Sequence, residues 1–366
     1  MVMRVGAEAR FITRCVREQE TLLPHELEQS AAAVGDWQEV AELAARHGVA
    51  AFVREASTRD GIALPPFVAE GLRNASLAQI AHVARLDALL DRVLSAVREA
   101  EIPTVVLKGP VLSRLVYPVP GLRPYSDIDL MIRDTDEERG VAMLLACGLE
   151  EVPHGAEVLR QAHAHHVHEG NAFHRVFMDP GRGAMVELHL DALQMGLRPT
   201  HEAARWSRVR EVPELPGALM LSLEDQIIQL AVHVHKHGFD RLIWLKDLDL
   251  LMREYGPELD WAGILTSAQA EGVDGSVWYS LWLTTELFAT PLPPGVLATF
   301  APSAIVRLLY RLVWPPERVA NLHGHMRRRA VQFLAADSWR GMLPNLILMG
   351  RRRTRARAIV SAVFKR

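Results

Sequence analysis

Apolar residues between Asn74 and Ala100 recur at helical spacing, with Leu77, Ile80, Val83, Leu90, Val93, Leu94 and Val97 separated by charges. That pattern predicts an amphipathic helix with one buried stripe. The rest of the first hundred residues reads as shorter helices, broken at Asp36-Trp37 and Pro65-Pro66. The pattern changes at Glu101-Ile102-Pro103, where proline ends the helix and Thr104-Val105-Val106-Leu107 predicts a buried strand. That strand stops at Lys108-Gly109-Pro110, before a short helix over Val111 to Tyr117 and a Pro- and Gly-rich loop. Asp127-Ile128-Asp129-Leu130-Met131-Ile132 alternates acid and apolar and then turns wholly apolar, as a strand with one wet end would. A helix over Asp134 to Cys147 closes at Gly148. Phe173 to Met178, a turn at Asp179-Pro180-Gly181 and Ala184 to Leu190 predict a hairpin. Helical periodicity returns from Glu202: Ser222 caps a helix that stops at Gly238, and further helices are expected over 241–255, 276–288, 303–313 and 317–336. The expected fold is α+β. A small mixed β-sheet core (101–200) lies between a helical N-terminal region (1–100) and a helical C-terminal region (201–366) that ends in a basic tail.

Within this frame the acids carry the chemistry. Asp127 and Asp129 are two apart on a strand, so both carboxylates share one face while Ile128 and Leu130 share the other. Two neighbouring acids repel, and a hard divalent cation relieves the repulsion. Val186-Glu187-Leu188-His189-Leu190 has the same alternation, so Glu187 and His189 face one way. If the two strands are neighbours, Glu187 completes a cluster of three carboxylates suited to two ions about 3.5–4 Å apart. Lys108 and Gly109 stand at a strand end before a helix, where glycine admits a close phosphate and lysine adds charge. Arg123, four residues before Asp127, is a candidate phosphate clamp.

Leu107-Lys108-Gly109, Tyr117, Arg123, the Ser126-Asp127-Ile128-Asp129-Leu130 strand and Val186-Glu187-Leu188-His189 together resemble the uncharacterised nucleotidyltransferase family of the polymerase-β-like superfamily. The superfamily pattern has Gly-Ser after the first strand; here Lys108-Gly109 replaces it, and Pro110 stands where a small hydroxyl residue would. The resemblance covers about residues 100 to 255. It implies a nucleotidyltransferase core using Mg²⁺, with a two-metal site at Asp127, Asp129 and Glu187, and transfer of NMP from an NTP, commonly AMP from ATP. Lys108, Gly109, Arg123 and His189 would hold the nucleotide. The acceptor would be a small molecule, a peptide, a protein or an RNA.

The resemblance also extends to a histidine-rich helix, a glycine break and a Trp-Leu-x-Asp-Leu stretch. His233 and His237 are four apart and share a helical face. On the functional reading these residues, with Trp244, Lys246 and Asp247, lie over the nucleotide or acceptor. On the structural reading Trp244 is core and Asp247 pairs locally. His163, His165, His166 and His168 alternate in facing, so they do not converge on one metal within a strand.

Charge adds an asymmetry to this picture. The net charge is -3, yet residues 321–366 hold ten Arg and one Lys against Asp337 alone. Such a tail could meet a polyanionic acceptor such as RNA, or simply form a solvated face. Only Lys108, Lys236, Lys246 and Lys365 are lysines, and three of these fall inside the motifs above. No apolar run is long enough to predict a membrane span, and Met1 to Phe11 lacks a signal-peptide core. Cys15 and Cys147 form no disulfide framework; a reducing cytoplasm is the expected location. A non-catalytic nucleotide-binding protein and a histidine-based metal hydrolase are the rival readings.

Overall fold

The computed structural model describes residues 5–119, 121–152, 174–181, 183–193 and 202–313. The histidine-rich 163–168 stretch, the expected 317–336 helix and the basic tail lie outside the described residues. The fold is α+β, with one mixed sheet of seven strands among the described residues. The strands are β1 (Val105–Leu107), β2 (Ile128–Met131), β3 (Glu150–Val152), β4 (His174–Asp179), β5 (Ala184–His189), β6 (Arg210–Glu211) and β7 (Leu219–Met220). Their order is β3-β4-β5-β2-β1-β7-β6. β2 runs parallel to β5 and β1 parallel to β7, and the other pairs are antiparallel.

The alternation read from the sequence decides which face each strand buries. Val106, Ile128, Leu130, Phe177, Val186 and Leu188 all lie on one face. They pack against the Pro66–Glu99 helix, through residues such as Leu86, Leu90 and Val93, and against Leu144 of the Glu137–Ala146 helix. The opposite face carries the acids, bordered by a small apolar group of Val105, Leu107, Met131, Trp206 and Leu221.

The Pro66–Glu99 helix opens with proline at its first position, where the missing N–H costs nothing. Its apolar stripe is not uniformly buried. Val68 and Leu72 enter a helical core, Val83 onward enters the sheet core, and Leu77 and Ile80 between them face solvent at 56% and 43% exposure. The helix spans two cores, with Leu77 and Ile80 on the exposed side of the stretch between them.

The helical core joins the first helices to helices that follow the sheet. Phe11, Ile12, Leu43 and Val53 share it with Ile227, Leu245, Leu248, Tyr279 and Phe288. The expected Ser222 cap is present, and Asp36, where a break was expected, caps a helix as well. Asp36 accepts from the Gln38 and Glu39 N–H groups to start the Trp37–Arg46 helix, and Ser222 accepts from Asp225 N to start the Leu223–Lys236 helix. The Leu242–Tyr255 helix has no side-chain cap of its own; instead His47 Nδ1 accepts from Leu242 N at 3.3 Å. Among the described residues no helix is long and apolar enough to cross a membrane.

Candidate active site

The strand register assembles the carboxylates. In the β2–β5 pair Asp129 stands opposite Glu187, and in the β1–β2 pair Leu107 stands opposite Asp129, one residue before Lys108. Asp127 immediately precedes β2. The three acids read from the sequence therefore share one sheet face, at the end where β1 hands over to a helix.

Lys108 reaches across that face. Its Nζ lies 3.0 Å from Asp129 Oδ1 and 3.4 Å from His233 Nδ1. Its backbone sits at φ 54°, a conformation that L side chains seldom adopt. Such strain persists only where the surroundings impose it, and it clusters at functional sites. Gly109 has a packing role alongside the expected one: a Cβ there would lie 2.6 Å from Tyr125 Cβ. The residue is glycine because an aromatic ring packs on its backbone.

His189 is fully buried between two acids, with Nε2 at 2.9 Å from Asp129 Oδ1 and 3.4 Å from Glu187 Oε2. It bridges the carboxylates, so its first role here is to hold them. His174, opposite His189 in the β4–β5 register, joins the group, with Nε2 3.9 Å from Glu187 Oε2. His174 is not among the residues that the sequence motifs single out. The signal was available: counting back through the hairpin from Asp179 opposite Ala184 puts His174 opposite His189.

The acids differ sharply in their charge environment. Burial, together with the nearby Asp129 and Glu187 charges, pushes the Asp127 carboxyl up to about 7. Among the described residues it accepts a hydrogen bond from Ser126 Oγ at 3.3 Å, and no cation lies in ion-pair contact with it. Burial acts the same way on Asp129, but Lys108 and the His189 hydrogen bond outweigh it and hold Asp129 well below the usual carboxylate range. Glu187, also opposed by burial, is drawn down to about 2 by its bond to His189. Burial pulls His174 down to about 4, and burial with the neighbouring Lys108 holds His233 well below the ordinary imidazole value. Lys236, at the end of the Leu223–Lys236 helix, is buried and lowered to about 8 by burial and by Lys108.

The remaining sequence candidates divide into two groups. His233, His237 and Trp244 form one aromatic group beside Lys108, with ring centroids 4.5 to 5.1 Å apart. Arg241, which the sequence reading left without a role, lies over Trp244 at 5.6 Å and carries its charge toward Asp127. Arg123 and Asp247 instead bind each other: Arg123 Nε and Nη2 donate to the two Asp247 oxygens at 2.6 and 2.7 Å, and Tyr117 OH donates to Asp247 Oδ1 at 2.7 Å. A phosphate clamp at Arg123 would have to break this buried two-point pair. Lys246 is fully buried in the helical layer between Glu18 at 2.6 Å and Asp249 at 2.7 Å. Lys246 and Asp247 are thus each paired inside the helical layer, mainly with partners brought in by tertiary packing.

A family model described as an uncharacterised nucleotidyltransferase matches residues 34–289. Those residues take in every described strand, the three acids and the aromatic group. No curated protein matches the chain closely enough to stand as a relative.

Proposed function

The chain belongs to the uncharacterised nucleotidyltransferase family, and from that premise we propose that it transfers AMP from ATP to an acceptor, with Mg²⁺ and release of pyrophosphate. The observation that carries this reading is the shared face of Asp127, Asp129 and Glu187, with Asp127 lacking a cation in contact among the described residues. Three clustered acids, Asp129 buried and Asp127 and Glu187 half-buried, cannot all stay ionised together without positive charge. Lys108 and His189 supply it to Asp129 and Glu187. A hard cation would supply it to Asp127, so the donor set fits Mg²⁺.

In this reading Asp127, Asp129 and Glu187 hold the ion. When bound, Mg²⁺ supplies Lewis-acid stabilisation of the charge that builds on the α-phosphate. Lys108 and Lys236 place cationic groups beside the acids, where the β- and γ-phosphates would carry negative charge. His233, His237 and Trp244 offer aromatic surface for a base or an acceptor. An acceptor oxygen then forms a bond to the α-phosphorus. The bond to the α–β bridging oxygen breaks, pyrophosphate leaves, and the acceptor proton passes to a carboxylate or to water.

The test is label transfer from ATP carrying a radioactive α-phosphate, with Mg²⁺ and a panel of small-molecule, peptide, protein and RNA acceptors. Transfer to one of them is expected. Nucleotide binding in a thermal melt, with no transfer to any acceptor and no pyrophosphate release, would overturn catalysis and favour a nucleotide-binding protein.

A further inference from the structure

We propose that His174, Glu187 and His189 form a binding position for a borderline transition-metal ion such as Mn²⁺, Co²⁺ or Zn²⁺, beside the all-oxygen carboxylate site. The antiparallel β4–β5 pair puts His174 opposite His189, and Glu187 stands two residues before His189 on the same face. One ligand atom from each residue lies within 4.8 Å of the others. His189 Nε2 and His174 Nε2 stand 3.4 and 3.9 Å from Glu187 Oε2. Donors on a four-coordinate ion with bonds near 2.1 Å sit about 3.4 Å from one another. Small rotations of the side chains, with release to water of the His189 Nε2 proton that bridges the two acids, therefore close the set around one ion, which takes over that charge. The two imidazoles already lean together, with centroids 5.2 Å apart and planes 37° apart.

The chemistry of the donors sets the class of ion. Two imidazoles and one carboxylate suit first-row transition metals, whereas Mg²⁺ prefers oxygen alone. Asp129 Oδ1, 2.9 Å from His189 Nε2, offers a further oxygen at the border of the two positions. His174, Glu187 and His189 all lie within paired strands, and a site built on strands needs no loop to close. The position shares Glu187 with the proposed transfer site but stands without it, since binding needs no nucleotide.

Cobalt titrated into nucleotide-free protein and followed by visible absorption tests this directly. One equivalent should bind with ligand-field bands, and a hundredfold excess of Mg²⁺ should not displace it. H174A should weaken cobalt binding at least tenfold, on the scale set by losing a metal-supporting group, while D127N should keep the cobalt spectrum. Pulsed EPR of copper-loaded wild-type protein should show nitrogen modulation from imidazole, a readout that needs no variant. Cobalt binding equal in H174A and wild type would overturn the proposal, as would a copper spectrum without imidazole nitrogen. A cobalt signature in a protein that fails to transfer label would leave this proposal standing and remove the transfer reading, and the converse result would do the reverse.

Discussion

Two buried ionic groups in this chain use the same residue types to opposite ends. In the helical layer, Arg123 meets Asp247 through two parallel bonds, and Lys246 lies between Glu18 and Asp249, with Arg253 bonding Asp249 from the next turn at 2.8 Å. Each charge there is matched. On the sheet face Lys108 and His189 serve Asp129 and Glu187, and Asp127 is left with a hydroxyl. Burial alone therefore does not mark a functional acid. The mark is a carboxyl crowded by other acids with no cation in contact, because such a carboxyl gains most when a cation arrives.

The first way to break that contrast is to neutralise an acid in each group. Asp129→Asn should lower label transfer by at least about a thousandfold, since losing an ion ligand removes several kcal/mol of transition-state stabilisation and each 1.36 kcal/mol is tenfold. The variant should keep its far-UV circular dichroism. Wild-type turnover in Asp129→Asn would remove the transfer reading, and unfolding would assign the residue to structure.

In the matched group the expected damage is to stability. Asp247→Asn leaves Arg123 buried beside a neutral partner and should cost about 3–5 kcal/mol in urea unfolding. If Asp247→Asn instead folds like wild type and loses only transfer, the contrast between the two groups fails.

The smallest effect concerns pH. The Asp127 carboxyl sits near 7 in the folded protein against an ordinary 3.8. Below about pH 4 both the folded and unfolded chains hold this proton. As pH rises toward 7 the unfolded chain releases it first, so Asp127 lowers stability progressively across that window. Without added metal, Asp127→Asn should therefore melt close to wild type at pH 4 and about 2–4 °C above it at pH 7.5. A gap that shrinks as pH rises would show that Asp127 is already compensated.

Periodicity made much of this legible. The period-2 alternation around Asp127 and Glu187 fixed which face each acid would occupy, because a one-residue slip would expose Ile128 and Val186. Strand adjacency was only conditional in the sequence, since β2 and β5 pair in parallel across more than fifty intervening residues. The roles of Arg123, Lys246 and Asp247 were illegible for a related reason. Motif spacing places a charge along the chain, but Asp247 and Glu18 reach their partners through tertiary packing across 124 and 228 residues. Leu77 and Ile80 misled because an apolar stripe cannot reveal that a helix leaves one core before it enters the next.

The helices before residue 34 lie outside the family match, yet they are not an appendix. Phe11 and Ile12 are completely buried against elements of the matched region, Glu18 neutralises Lys246, and Arg17 Nε donates to Leu287 O at 2.7 Å. The edge of the alignable family sequence is therefore not an edge of cooperativity. Amides of the Ala7–Val16 and Leu242–Tyr255 helices should exchange hydrogen in one shared opening event, and a version trimmed at residue 34 would leave the interior ammonium of Lys246 to share Asp249 with Arg253.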